Sequence, residues 1–339
     1  MEQVADDLPE SGLRGRCCIL SRRRPADACL PRRGQVLVTK SRKIGPARKS
    51  DYPMMLNRRA LLFAVPGVIA WPALAWEAPP TLAAYERDTG GRIGLHAESL
   101  TTGLKITWRA NERFVMCSTF KASLAALVLR RGDHGQDQLQ QMISYGPEDV
   151  PDWWAPVAKR NLSKGAMSVA DMCEAAVEYS DNTCANLLLA RIGGPTALTV
   201  FWRSIGDGVT RLDHDEPILN RSPPGDPHDT TTPAAMAANL RRLLLGKVLS
   251  PASCERLTGW MVDCKTGGDR LRGGLPKDWR IADKTGSNGT DAFSDIAVAW
   301  PKPDRPVLIC VYTQGGVPTA ARAASVFADI GRMVGQQLS

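Results

Sequence analysis

Two hydrophobic periodicities divide the chain. In "RIGLHAESL" and "LKITWRA" apolar residues alternate, Ile93, Leu95 and Ala97 in the first and Leu104, Ile106 and Trp108 in the second. Alternation of this kind predicts half-buried strands, and the intervening "TTG" predicts a hairpin turn. Ahead of them "PPTLAAYERDTG" reads as a short helix, with Pro79 and Pro80 at its start and Gly90 and Gly91 at its end. From 117 to about 262 the pattern becomes helical: segments 168–179, 183–191 and 233–245 are separated by Gly/Pro loops, and no strand pair is expected among them. Strand patterns return in "WRIADKTG", "DAFSDIAVAW" and "RPVLICVYTQ", and "PTAARAASVFADIGRMVGQQL" closes the chain as a helix. This order predicts a mostly helical domain inserted into an antiparallel sheet layered with terminal helices.

Charge changes the picture only at the N-terminus. The chain has 339 residues, 43% hydrophobic and 23% charged, enough for a large folded core, and a formal charge of +8. Residues 1–75 hold 14 of the 43 basic and 6 of the 35 acidic residues, which leaves 29 of each in 76–339. The basic excess belongs to the leader, and nucleic acid is set aside as a partner. Residues 1–53 are Arg-rich and without periodicity, and are expected to be an untranslated or disordered leader. "MMLNRRALLFAVPGVIAWPALAW" from Met54 has a basic start, an apolar stretch and Ala73-Leu74-Ala75 as an A-x-A cleavage site, so 54–75 reads as a signal peptide. Pro66, Gly67 and Pro72 interrupt it, and it falls short of the roughly 20 apolar residues of a membrane span. Arg58 and Arg59 resemble a twin-arginine export signal. The expected protein is therefore periplasmic or secreted, without a stable membrane anchor, and translated from Met54 or Met55.

Several short motifs carry chemistry. In "CSTFKASLAALVLRRG" an apolar run from Ala122 to Leu129 is broken only by Ser123, yet Ser118 and Lys121 stand just ahead of it, one helical turn apart. A serine hydroxyl becomes a nucleophile when something takes its proton, and a nearby amine can do so. Taken alone, the pair reads as a first-turn serine and a lysine snorkelling along apolar surface. Ser180, Asp181 and Asn182 lie between apolar segments and are residue types preferred as helix caps. Lys-Thr-Gly occurs twice. Lys265-Thr266-Gly267 follows a helical pattern and reads as ordinary C-terminal capping, whereas Lys284-Thr285-Gly286 ends a strand pattern, where a glycine permits close backbone approach.

In this order, Ser-x-x-Lys, Ser-Asp-Asn and Lys-Thr-Gly resemble the penicillin-interacting serine enzymes. "RLDHDEPILN" resembles the omega loop of class A β-lactamases, with Glu216 and Asn220 at the E-x-x-L-N positions. The resemblance runs from about residue 80 to the C-terminus. It implies an α/β (α+β) two-domain serine β-lactamase/transpeptidase-like fold: an antiparallel five-stranded sheet flanked by helices, with an inserted all-α domain. The implied division is an α/β domain of 76–116 and 262–339 and an all-α domain of 117–261 that carries the omega loop, 211–229. The implied activity is hydrolysis of the β-lactam amide bond through a serine acyl-enzyme, by a monomer acting on a small-molecule β-lactam without any cofactor. Ser118 is the implied nucleophile, its backbone N–H forming an oxyanion hole with that of Ser287. Ser180 is implied as the proton relay to the lactam nitrogen, and Asn182 as the binder of the side-chain amide. Glu216 and Asn220 hold and activate the deacylating water. Lys284, Thr285, Gly286 and Ser287 meet the substrate carboxylate with help from Arg270, and Trp154 lies at the mouth. The acylation base is open between Lys121 and Glu216: at a lysine pKa of about 10.4 roughly one amine in 2,500 is neutral at pH 7, so Lys121 would need a depressed pKa.

The departures are as informative. Cys117 precedes the nucleophile as in relatives with a disulfide to the second position after Lys-Thr-Gly, but that position is Asn288. A second bridge of the family would join Cys173 to a position held by Ala125. Cys254 and Cys264, if on one helix, lie about 15 Å apart along it and do not pair. His214 stands where the family has an omega-loop arginine, while Asp229 keeps the acidic partner, so this pair is expected to tighten in acid. The rival readings are a penicillin-binding D,D-peptidase or transpeptidase, which lacks the deacylating glutamate, and a β-lactam sensor domain that stays acylated. A Ser-His-Asp esterase is disfavoured by four histidines and no Gly-x-Ser-x-Gly, and a metal hydrolase by the lack of a His/Cys/Asp cluster. Mass spectrometry of the cell-made precursor should recover no peptide from residues 1–50; recovering them would end the assignment of a start at Met54 or Met55.

Overall fold

The computed structural model describes residues 78–339 apart from 151–153, 222 and 224. The leader and the signal expected at 54–75 lie outside the described residues. The chain opens with α1 (Pro80–Thr89) and strands β1 (Arg92–Ser99), β2 (Lys105–Trp108) and β3 (Phe114–Val115). Next come α2 (Phe120–Asp133), β4 (Met142–Ser144), α3 (Pro156–Asn161), β5 (Ala166–Ser168), α4 (Val169–Glu178), α5 (Asn182–Ile192) and α6 (Pro195–Ser204). The remainder is β6 (Thr230–Thr231), α7 (Pro233–Leu244), α8 (Pro251–Val262), α9 (Leu271–Gly274), β7 (Arg280–Ser287), β8 (Phe293–Trp300), β9 (Val307–Gln314) and α10 (Ala320–Gln337). The main sheet has five strands in the order β2-β1-β9-β8-β7, all antiparallel.

Helix starts follow from local chemistry. Ser168, Asp181, Thr232, Ser250 and Thr319 each accept a hydrogen bond from a backbone N–H of the first turn, and a proline opens α7 and α8. Asp181 therefore caps α5 as its residue type suggests. One expectation fails: β4 and β5 pair antiparallel within 117–262, Ile143 opposite Met167, and β3 reaches β6 across the chain. These strands have only two or three residues, too few for alternation to show in the sequence. Leu104 is a second departure, lying outside β2 and exposed.

The sheet is covered on both faces, which explains why "VLICVYTQ" is buried at all eight positions. Ala282, Ile296, Val298, Leu308, Cys310 and Tyr312 pack with α2, α4, α5, α7 and α8 in one core. The alternate residues, among them Ile281, Ala297, Ala299, Ile309 and Val311, pack with α1 and α10 in the other. Lys284 has the parity of the first set, so its side chain enters the layer between sheet and helices. Asp283 and Asp295 have the parity of the second.

The α9–α10 contact is backbone to backbone. A Cβ on Gly274 would lie 2.6 Å from the Ala328 carbonyl carbon, and one on Gly331 would lie 2.9 Å from the Leu275 nitrogen. Gly274→Ala should cost about 1–3 kcal/mol in urea unfolding as overpacking. Gly268→Ala, which meets nothing within 4 Å, should be near neutral, and equal midpoints for the two would refute the packing argument.

Candidate active site

Ser118 lies in a short 3-10 turn, Cys117–Thr119, that leads directly into α2. Its predecessor Cys117 has φ +46°, a conformation that costs a non-glycine residue free energy and is held by its surroundings. Gly286 is part of that support: a Cβ there would fall 2.9 Å from Met116 O and 3.0 Å from Cys117 Cβ. The glycine of Lys-Thr-Gly lets β7 press against the turn that bears the serine.

Lys121 is fully buried. Its Nζ lies 3.0 Å from Glu216 Oε1, donates to Ser180 O at 2.9 Å and donates to Asn182 Oδ1. Ser118 Oγ also points at Glu216 Oε1, at 3.4 Å, long for an O–H···O bond but common for catalytic pairs without substrate. Asn220 Nδ2 donates to the other oxygen, Glu216 Oε2, at 2.6 Å, while Asn220 Oδ1 is buried and has no partner among the described residues. Lys284, also fully buried, donates to Ser180 Oγ at 3.0 Å and to Thr285 O at 2.8 Å. Burial pushes its pKa down to about 8, with the Lys121 charge adding to the shift.

Ser118, Trp154, Ser180, Asn182, Glu216, Asn220, Arg270, Thr285, Gly286 and Ser287 line one cavity of about 350 Å³, with Lys121 and Lys284 buried just behind it. A larger cleft of about 610 Å³ beside Arg92 and Arg113 holds none of these residues. Trp154 stays exposed, its indole N–H donating to Tyr179 O at 2.7 Å and its carbonyl accepting from Asn182 N at 3.1 Å. Arg270 Nη1 donates to Gly286 O at 2.9 Å and Ser294 O at 2.6 Å. The arrangement offers a serine oxygen, a carboxylate beside it and a cationic wall, which suits acyl transfer on an anionic substrate.

Thr266, Gly289 and Asn186 are site residues that the sequence motifs do not assign, and the first Lys-Thr-Gly does not have the capping role its context suggests. Lys265-Thr266-Gly267 is not the cap of α8, which ends at Val262 with Asp263 as its C-cap. Instead Thr266 lines the cavity and shares a 2.5 Å hydrogen bond with Thr285 Oγ1. Gly267 is needed because a Cβ would collide with the Asp283 carboxylate. The duplicated Lys-Thr-Gly was the available signal. Asn186, one turn after Asn182 on α5, donates to Glu216 O and accepts from Glu216 N, both at 3.0 Å, and so fixes the backbone of the carboxylate. A polar residue amid "ANLLL" hinted at it.

The cysteines are all free among the described residues. Burial pushes the Cys117 thiol far up, away from reactivity. Asn288, in place of a bridging cysteine, closes the following turn: its Oδ1 accepts from the backbone N–H of Thr290, Asp291 and Ala292.

Comparison with known proteins agrees with this geometry. The family described as "Beta-lactamase enzyme family" matches residues 80–338. The chain is 44% identical over 299 residues to Beta-lactamase L2 of Stenotrophomonas maltophilia, covering 83% of this chain and 98% of that protein. Among solved structures it is similar to a class A β-lactamase of the last common ancestor of Gram-negative bacteria, with 53% identity, TM-score 0.72 and coverage of 75% of this chain and 96% of that one. A β-lactamase from Xanthomonas campestris pv. campestris gives 48% identity, TM-score 0.74 and coverage of 76% and 96%.

The loop that presents Glu216 is closed at its base by Asp229, which is fully buried at φ +56°. Its Oδ1 accepts from Asp213 N at 2.7 Å and His214 N at 3.0 Å, and its Oδ2 accepts from His214 Nδ1 at 2.7 Å. The hydrogen bond to Asp229 raises the His214 pKa, burial opposes it, and the charges of Asp229, Asp213 and Asp226 add to the rise. Arg211 engages Asp213, His228 engages Asp226 and faces His214 edge-on, and the nearby Asp215 carboxyl is itself raised by burial. A histidine whose pKa is raised on folding stabilises fully below its unfolded value of about 6.5, and that contribution is lost as pH rises through the folded value. Between about pH 5.5 and 8, hydrogen-exchange protection of 211–229 and the deacylation rate should fall, and His214→Arg should flatten both. Equal protection at the two ends of the range would sink the idea.

Proposed function

Since the chain belongs to the class A serine β-lactamases, and hydrolyses the β-lactam amide bond, we propose how its own residues divide that reaction. The observation that carries the assignment is Glu216 Oε1, which faces the Ser118 hydroxyl and the Lys121 ammonium together while Oε2 is held by Asn220. Ser118 Oγ attacks the lactam carbonyl, and its proton leaves toward Glu216, the hydrogen-bond acceptor it faces. The carbonyl oxygen, now an oxyanion, is received by the backbone N–H groups of Ser118 and Ser287. Ser180, hydrogen-bonded to Lys284, gives a proton to the leaving nitrogen as the C–N bond breaks, and the proton that Glu216 took from Ser118 replaces it, so that Glu216 is again a carboxylate and Ser180 a hydroxyl.

The resulting ester is cleaved by water. Glu216 and Asn220 hold that water, Glu216 takes its proton, and the hydroxide adds to the acyl carbon; as the ester C–O bond breaks, Glu216 returns the proton to Ser118 Oγ, which restores both groups. Lys121 stays paired with Glu216 and keeps its carboxylate aimed at Ser118. Asn182 binds the substrate side-chain amide. The substrate carboxylate meets Thr285, Ser287, Arg270 and the Lys284 charge, and Thr266 joins them through its bond to Thr285. Trp154 forms an exposed wall of the entrance.

The broader setting is part of the same proposal. The protein acts as an exported monomer, periplasmic or secreted, without a stable membrane anchor. The basic, apolar and A-x-A pattern of 54–75 supports export, and the balanced charge of 76–339 leaves the mature chain without a net basic excess to draw it to an anionic membrane.

Glu216→Ala tests the assignment with a chromogenic cephalosporin and mass detection. In the variant Lys121, freed of its carboxylate partner, stands in as acceptor for the Ser118 proton, so Ser118 should still acylate, while turnover falls about a hundredfold or more and a covalent adduct accumulates on the protein. Turnover at the parental rate without an adduct would remove Glu216 from deacylation.

A further inference from the structure

Three consecutive residues carry Arg270 to the cavity, and each is tied down differently. Arg270 Nη1 donates to Gly286 O and Ser294 O, Leu271 N donates to Asp295 Oδ2 at 3.2 Å, and Arg272 Nε donates to Asp283 Oδ1 at 3.0 Å. Asp283 on β7 and Asp295 on β8 share one face of the sheet. In the register Thr285 lies opposite Asp295 and Asp283 opposite Ala297, so the two carboxyls are diagonal neighbours. Both residues are fully buried.

Their partners are unequal. Asp283 has the Arg272 guanidinium, a full positive charge. Asp295 has one neutral backbone N–H, and its Oδ1 is buried with no hydrogen-bond partner, as is Asp283 Oδ2. An ionised Asp295 would be a buried charge with one donor and a like charge diagonally across the strands. It would also stand behind Arg270, whose guanidinium packs between the rings of Phe293 and Phe327.

We propose that Asp295 is a positioning residue for Arg270 and acts as a neutral carboxylic acid. Its Oδ2 fixes the Leu271 N–H and hence the start of α9, and its neutrality leaves the Arg270 charge directed at a carboxylate in the cavity rather than drawn back into the sheet. This rests on the reading of Arg270 as a binder of the substrate carboxylate. The surroundings act in the same direction: burial first, and then the Asp283 charge, raise the Asp295 carboxyl well above the usual range, against the smaller pull of Arg270, the Leu271 N–H and Arg272.

The test compares the mature enzyme with Asp295→Asn, Asp295→Ala and Arg270→Ala, using a penicillin as substrate. Asparagine keeps the group neutral, with one oxygen to accept from Leu271 N–H and an NH2 with two donor hydrogens in place of the acid O–H. It should leave KM within about twofold, whereas alanine, which orphans a buried N–H, should raise KM about tenfold with kcat changed less than about threefold. Infrared difference spectra at neutral pH should show a protonated-carboxyl carbonyl band in the parent that Asp295→Asn lacks. Absence of that band, an asparagine variant as impaired as alanine, or an alanine variant with unchanged KM would each overturn the proposal. If alanine fails to fold, the band and the asparagine variant decide alone. Unchanged KM in Arg270→Ala would instead fault the reading of Arg270, leaving the band to report on Asp295 independently.

Discussion

Burying an ammonium without a matched acceptor is among the most costly things a protein can do, and this fold buries two of them within one site. Lys121 and Lys284 are both fully buried, and the surrounding elements are arranged to receive their charge. Lys121 draws in the Glu216 carboxylate, the Ser180 carbonyl and the Asn182 amide oxygen, three groups from two separate loops or helix starts. Lys284 is met by one hydroxyl and one carbonyl, with no carboxylate bonded to it among the described residues, and its pKa falls to about 8. The better-compensated lysine holds the general base, and the less-compensated one touches the hydroxyl assigned to protonate the leaving group.

That constraint reaches outward through β7. Alternation along the strand sends Lys284 toward the helices and Asp283 toward α10, while Gly286 leaves room for the nucleophile turn. One strand thus supports the cation, the buried acid that anchors Arg272, and the close approach that holds Cys117 at φ +46°. In relatives with a disulfide at Cys117, a covalent bond ties this turn to the segment after Lys-Thr-Gly. Here packing and the Asn288 side chain close that region, and the cysteine stays a buried thiol.

The loop bearing Glu216 is tied down by polar groups, the half-buried Asn186 and the buried Asp229, as well as by Leu212 and Leu219, which pack into the helical core. Asn186 grips the backbone of Glu216, and Asp229 gathers the loop's entry with three hydrogen bonds. Replacing an arginine by His214 keeps the geometry of a side chain donating to Asp229 but makes its charge depend on pH.

The sequence by itself determined the strands long enough to alternate, the order of elements, and three triplets with the glutamate loop that name the chemistry. These are local signals: side-chain period, capping types and residues adjacent in the chain. It also confined the net charge to the leader, because counting needs no fold. Only the tertiary structure decided that the first Lys-Thr-Gly contributes Thr266 to the cavity and that Asn186 serves Glu216. It alone showed that Cys117 has no partner and that Asp295 sits beneath Arg270. The contacts among these facts join residues 19 to 30 positions apart, from Thr266 and Thr285 to Asn186 and Glu216. Such contacts are set by how two cores pack on opposite faces of one sheet, and no local pattern of residues encodes that distance.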